Sequence, residues 1–238
     1  MSVFQFKQFS ISQDKCAMKV GTDGVLLGAW APLEHHPYSI LDIGAGTGLI
    51  ALMLAQRSTA EQIDALEIVD EAYEQAVENF EESPWGDRLF CYHAGLDEFV
   101  DEMEDEEYDL IVSNPPFYSE DYSSGNTERD MARQAASMPF NELAEAASLL
   151  LSGEGIFALI LPYKEEEGFI RMAEEYSLFP YRVTRVKGTP QSEIKRSLIA
   201  FKKTPQDVVE TGELIIETAR HQYTPEYTAL TQDFYLKM

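Results

Sequence analysis

Asn114-Pro115-Pro116-Phe117 is the segment of this chain whose residue types point most directly to chemistry. The asparagine side chain offers a carbonyl oxygen, and Pro115 offers a main-chain carbonyl. Each proline locks φ, and a residue that precedes a proline is driven to extended geometry, so both acceptors are fixed in advance. Two such acceptors can hold the two hydrogens of an amino group whose lone pair is delocalised into a ring. They thereby turn the lone pair toward an electrophile. Phe117 supplies a face on which the ring can stack, and a base held in a helical stack must first be splayed out to reach it. The segment also reads as a rigid proline turn without chemistry.

A second signal is Ile40-Leu-Asp-Ile-Gly44-Ala-Gly46-Thr-Gly48-Leu, an apolar strand that runs into three glycines at alternate positions and then into a helix. Glycine lets the backbone turn sharply and lets a ligand lie against the main chain. The dinucleotide fingerprint is G-x-G-x-x-G, whereas this chain reads G-x-G-x-G with Asp42 two residues ahead. That pattern resembles motif I of S-adenosylmethionine-dependent methyltransferases. Asn114–Phe117 resembles the (N/D/S)-P-P-(Y/F/W) motif IV of amino-group methyltransferases. That group includes adenine-N6 enzymes on DNA and RNA, guanine-N2 enzymes on ribosomal RNA and glutamine-N5 enzymes on release factors, and the motif does not choose among them.

The resemblance implies S-adenosylmethionine as cofactor, cradled by Gly44, Gly46 and Gly48 and bordered by Asn114. Glu67, nineteen residues beyond Gly48, is placed to accept hydrogen bonds from both ribose hydroxyls. Asp42 is expected at the amino group of the methionine end. Asp97, just past the third strand, is expected where the adenine ring lies.

These residues need a scaffold. Strand-like runs fall at 40–43, 63–68, 89–93, 108–113, 156–161, 181–186 and 196–201, with helical patterns at 49–57, 71–82, 140–151 and 165–176. Asp70 is placed to cap the second helix and Gly153 to stop the third. Alternation of strand and helix predicts an α/β fold with a mostly parallel sheet covered on both faces. No helix separates the last two runs, which are expected to pair as an antiparallel hairpin. This is the Rossmann-like, seven-stranded methyltransferase layout. We take 1–238 as a single domain, with 39–203 as the cofactor-binding core. Short extensions flank it: residues 1–31, a hairpin of Val3–Gln8 with Cys16–Val20 leading into a helix, and residues 204–238, a further strand and helix.

Composition constrains the partners. The net charge is −24, unevenly spread. Residues 61–110 hold nineteen Asp or Glu against Arg88 alone, whereas residues 180–205 hold seven Lys or Arg against Glu193. Such an acidic chain repels nucleic acid at long range, and the acidic block reads as a solvated face. The basic segment, with Arg185, Lys187, Lys195 and Arg196, reads equally as a polyanion contact or as a lysine-protected sheet edge. Cys16 and Cys91 are expected in strands as buried thiols of a reducing compartment. No signal peptide, membrane-length apolar run or metal-ligand pattern is seen, which predicts a cytoplasmic, metal-free protein, monomeric or weakly dimeric.

The ends narrow the choice. Met18-Lys-Val-Gly-Thr-Asp-Gly-Val-Leu-Leu-Gly-Ala-Trp30, the NPPF turn and Tyr223-Thr-Pro-Glu-Tyr-Thr-Ala-Leu-Thr-Gln-Asp-Phe-Tyr-Leu-Lys-Met238 together resemble the tRNA1(Val) adenine-N6-methyltransferase family, across essentially the whole chain. The resemblance implies methylation of the adenine next to the anticodon, and it places Lys19, Thr22 and Asp23 at the cofactor entrance. Thr22 or Asp23 also reads as a helix N-cap. Residues 119–136, with Arg129 and Arg133, read as a lid or RNA-contacting loop, or as plain loop. A release-factor methyltransferase suits the acidic charge better but calls for a helical N-terminal domain that is not seen. A silent cofactor-binding module has no use for Asn-Pro-Pro-Phe.

Overall fold

The computed structural model of the protein describes residues 3–103, 106–116 and 138–237. The core strands are β3 (Ser39–Ile43), β4 (Gln62–Glu67), β5 (Leu89–His93), β6 (Tyr108–Ser113) and β7 (Leu151–Pro162). They pair in parallel. The expected antiparallel hairpin is β8 (Phe179–Lys187) with β9 (Ile194–Lys202), and β9 joins it to β7. The sheet has eight strands rather than seven. The C-terminal extension lays β10 (Glu210–Ile215) parallel to β8, covering what would otherwise be a bare edge. The order across the sheet is β10-β8-β9-β7-β6-β3-β4-β5.

Burial explains why β3 is apolar apart from Ser39 and Asp42: all five of its residues are buried. One face carries α1 (Thr22–Trp30), α2 (Leu49–Arg57) and α3 (Asp70–Glu81), with Leu27, Leu52 and Phe80 in a core shared with Phe6, Tyr227 and Phe234 from the chain ends. The opposite face carries α4 (Leu96–Glu102), α5 (Phe140–Leu150) and α6 (Glu166–Glu175), whose Phe99, Leu143 and Phe169 pack together with Leu41 and Phe157. From β3 the chain steps outward to β4 and β5, then returns to β6 on the other side of β3. The carboxyl ends of β3 and β6 therefore flank the switch-point crevice where open α/β sheets bind ligands.

Several local expectations are corrected. The N-terminal hairpin pairs β1 (Val3–Gln5) with β2 (Ser10–Ser12), not with Cys16–Val20. The later segment is held by side chains instead: the Lys15 N–H donates to Gln75 Oε1, and the Val20 N–H donates to Gln13 Oε1. Cys16 is thus buried in a loop, whereas Cys91 lies in β5. Burial pushes both thiols up to about 12, which keeps them protonated and unreactive at neutral pH. The N-cap of α3 is Val69, with Asp70 as its first residue, and Gly153 sits inside β7, because α5 passes directly into that strand at Leu151. Beyond β10 the chain forms the small hairpin β11 (Glu217–Ala219) with β12 (Gln222–Tyr223), then α7 (Pro225–Thr231), capped by the Thr224 hydroxyl. Among the described residues no helix is long and apolar enough to cross a membrane.

Candidate active site

The turn after β3 is built on Gly44, Gly46 and Gly48, at φ of 75°, 58° and 76°. These are left-handed values that cost a side-chain-bearing residue roughly 1–2 kcal/mol. Backbone bonds tie the turn to the neighbouring strand: the Gly44 and Ala45 N–H groups both donate to the Leu66 carbonyl. Gly48 faces inward, and a Cβ there would stand 2.4 Å from Phe80. Gly46 is the opposite case, with nothing within 4 Å of an added Cβ. Gly48 therefore serves packing, and Gly46 leaves bare main chain facing open space.

That space is a cleft of about 620 Å³. It is lined by Gly44–Thr47 with Leu49 and Ile50, by the stretch Ala17–Gly24 and by Asn114. Lys19, Thr22 and Asp23 all line it. Neither Thr22 nor Asp23 is an N-cap: that position is Gly21, without a side-chain cap bond. Asp23 instead accepts a 2.8 Å hydrogen bond from Arg196 Nε, which holds its carboxylate at the cleft rim. The Asn114 amide nitrogen lies 3.9 Å from where a Cβ on Gly24 would stand. Pro115 is buried and Pro116 half-buried, which suits a turn whose acceptors do not move. Phe117 lies outside the described residues, as do Arg129 and Arg133.

The carboxylates divide. Glu67, at the end of β4, is 7% exposed, and its two oxygens accept from the Gly46 and Val69 N–H groups at 2.8 and 2.9 Å. It therefore braces the glycine turn directly. Asp97 is exposed, lies further along the strand ends at the first turn of α4, and is not among the residues that line the cleft. Asp42 is fully buried beneath the turn: one oxygen accepts from the Ala51 N–H of α2, and the other has no partner among the described residues. It does not line the cleft either.

Burial, with a smaller push from Glu67, raises the Asp42 carboxyl from an ordinary 3.8 to about 7 against the opposing Ala51 hydrogen bond. Between those values the folded state keeps a proton that the unfolded chain has released, so this group lowers stability as pH rises through the window. Asp42→Asn keeps an acceptor for Ala51 and cannot ionise. The melting temperature of Asp42→Asn minus that of the parent, both without cofactor, is expected to increase from pH 5 to pH 8. The scale is about 2–4 °C per kcal/mol for a chain of this size. A difference that stays constant with pH would show that Asp42 does not titrate there.

The basic segment is not a free cationic surface. Arg185 holds Glu166, which also accepts from Ser197; Lys187 pairs with Glu213 at 2.8 Å; Arg196 pairs with Asp23. Lys195 is exposed and makes no ion pair among the described residues. The four are not equivalent, because the Glu166 side chain is 9% exposed and Arg185 compensates it. Arg185→Ala is expected to cost about 1–3 kcal/mol, less than the 3–5 of a wholly buried pair because the arginine itself is part-exposed. Thermal melting checks this, and an unchanged transition would mean that Glu166 needs no cation.

A family model described as "Methyltransferase small domain" matches residues 25–151. A relative from Flavobacterium johnsoniae named "tRNA1(Val) (adenine(37)-N6)-methyltransferase" is 68% identical over 236 residues, which is 99% of this chain and 100% of the relative. The chain belongs to the tRNA1(Val) adenine-N6-methyltransferase family. A second relative of that name, from Flavobacterium psychrophilum, is 67% identical with the same coverage. The crystal structure of a predicted O-methyltransferase from Agrobacterium tumefaciens shares the fold with a TM-score of 0.68, at 21% identity, covering 89% of this chain and 96% of that one.

Within this member of the tRNA1(Val) adenine-N6-methyltransferase family, the cleft fits the expected cofactor. The bare main chain at Gly46 leaves a cradle that a side chain would fill. Two further positioning residues are not marked by any motif. Asn79 on α3, 1% exposed, donates to the Thr47 and Ser12 carbonyls, so it pins the glycine turn to the N-terminal hairpin. The Ser113 hydroxyl donates to the Ile43 carbonyl at 2.9 Å and fixes the ends of β3 and β6 to each other. Asn79 had a legible signal: with Ala72, Gln75, Ala76 and Phe80 it occupies the buried stripe of α3, where a polar side chain requires a partner. Ser113 had none.

Proposed function

We infer that this enzyme transfers a methyl group from S-adenosylmethionine to the exocyclic N6 of adenine 37 in tRNA1(Val), the reaction named for its relatives. The observation that carries the reading is that Asn114 and the bare turn at Gly44 and Gly46 share one cleft at the switch point. S-adenosylmethionine, when bound, supplies an electrophilic methyl group on a sulfonium. Gly44 and Gly46 offer it main chain, Glu67 holds their turn in place, and Lys19, Thr22 and Asp23 border the entrance.

The rest falls to the turn after β6. Adenine N6 is a poor nucleophile because its lone pair is conjugated with the ring. Asn114 Oδ1 and the Pro115 carbonyl accept its two hydrogens and draw them out of the ring plane, so that the lone pair localises on nitrogen toward the methyl group. The N–C bond forms as the S–C bond breaks, one N6 proton is then lost, and Phe117 stacks on the base. The prolines keep those acceptors in place, so no reorganisation is needed when the base arrives. The base comes from a single-stranded loop, where splaying it out costs little. The setting is the cytoplasm, where the tRNA is found.

The test is methyl transfer from labelled S-adenosylmethionine to unmodified tRNA, ribosomal RNA and release factor offered in parallel. Label is expected in tRNA as N6-methyladenosine. Label in the release factor alone would put a glutamine amide in place of the adenine.

A further inference from the structure

The glycine turn and Asn114 leave the C-terminal aromatic string without a role, yet it builds a second cavity. This cavity, about 390 Å³, lies where the two ends of the chain meet, between β1, the start of α1 and α7. Phe4, Tyr223, Tyr227 and Tyr235 line it, with Glu217 and Lys237 as its charged groups. It shares Val20, Gly21 and Thr22 with the active-site cleft, so the two are separated by a single strip of backbone. Its size falls in the range of sites that hold one small ligand.

The lining has the chemistry of a base-binding site. Tyr223 is 42% exposed, and its ring centroid stands 5.2 Å from that of Tyr227, which puts two aromatic rings side by side at the cavity wall. The Tyr227 hydroxyl bonds to that of Tyr235, and burial keeps both protonated, so they add hydrogen-bonding capacity and no charge. Glu217 offers an acceptor for an amino group, and the exposed Lys237 offers a cation to a phosphate.

Electrostatics select the same kind of contact. With a net charge of −24, and with Arg185, Lys187 and Arg196 each paired with a carboxylate, the basic segment grips a phosphate backbone less well than its count of cations suggests. Stacking a base on an aromatic ring is worth roughly 1–3 kcal/mol and needs no cation at the ring itself. Recognition of unpaired RNA through splayed bases on tyrosine is the mode open to such a protein. We propose that this cavity is a second nucleobase subsite, which takes the unpaired RNA base adjoining the adenine held at Asn114. This rests on the RNA-substrate reading above.

The experiment uses the full-length protein and an anticodon stem-loop RNA with 2-aminopurine immediately 5′ or 3′ of the target adenine. Fluorescence at one of the two positions is expected to be quenched on binding to the parent protein, and the quenching is expected to vanish with Tyr223→Ala. For the unlabelled stem-loop, kcat/KM should fall about tenfold through KM, the loss of one base–aromatic stack. Melting temperature and S-adenosylmethionine affinity should stay put, and Tyr223→Phe should restore both quenching and rate. Quenching at neither position, or a Tyr223→Ala protein with the parent's quenching and kcat/KM, would overturn the subsite while leaving the methyl-transfer reading intact. A parent protein that methylates neither the stem-loop nor the intact unmodified tRNA would overturn both.

Discussion

Asn114→Ala is expected to retain most of its affinity for S-adenosylmethionine and to lose methyl transfer by about 2–4 kcal/mol in the barrier, on the order of 30- to 1000-fold in rate. Asn114 lines the cleft, and on the proposed reading the main-chain contacts to the cofactor come from the glycine turn. Alanine removes the side-chain oxygen and leaves Pro115 and Pro116 in place, so the amine keeps one of two acceptors and its lone pair is no longer directed. Asn114→Asp keeps an oxygen in that position and is expected to fall between alanine and the parent. Rates under saturating cofactor, with calorimetric cofactor affinities beside them, separate the steps. Near-parental turnover in Asn114→Ala would reduce the tetrapeptide to a structural turn.

Gly46→Leu is expected to lower cofactor affinity by about 100-fold or more, equivalent to roughly 2.7 kcal/mol, while the protein stays folded. A Cβ at Gly46 has no atom within 4 Å, so a side chain there extends into the open cleft, the volume the proposed cofactor requires. Its positive φ of 58° adds a modest strain, within reach of a protein of ordinary stability. Gly48→Ala makes the informative contrast. One added carbon there meets the Phe80 ring at 2.4 Å, so that variant is expected to melt early. Three glycines in one motif thus differ in what they do, and titration calorimetry beside thermal melting tells the two roles apart. Equal cofactor affinity in Gly46→Leu and the parent would remove the turn from the site.

How far the chain could be read without coordinates follows from the range of the interactions concerned. The parallel strands, the glycine turn and the Asn-Pro-Pro turn are local patterns, fixed by burial on both faces and by backbone constraints, and they are found where expected. The misplaced elements depend on partners distant in sequence. Cys16–Val20 is apolar enough to suggest a strand, but Gln75, sixty residues from Lys15, is one of the acceptors that hold it open as a cleft wall. Arg185 and Arg196 look like free cations until Glu166 and Asp23, the latter 173 residues from Arg196, are brought beside them. Asp42 illustrates the same limit from the other side. Its place before the glycines was legible, while its complete burial is set by α2 packing over β3.

Proof of the central claim comes from an unmodified tRNA1(Val) transcript incubated with labelled S-adenosylmethionine, beside the same transcript in which adenine 37 is replaced by guanine. Digestion to nucleosides should yield one labelled N6-methyladenosine per molecule from the first transcript and none from the second. Equal labelling of the two, or label only in ribosomal RNA or a release factor offered alongside, would contradict it.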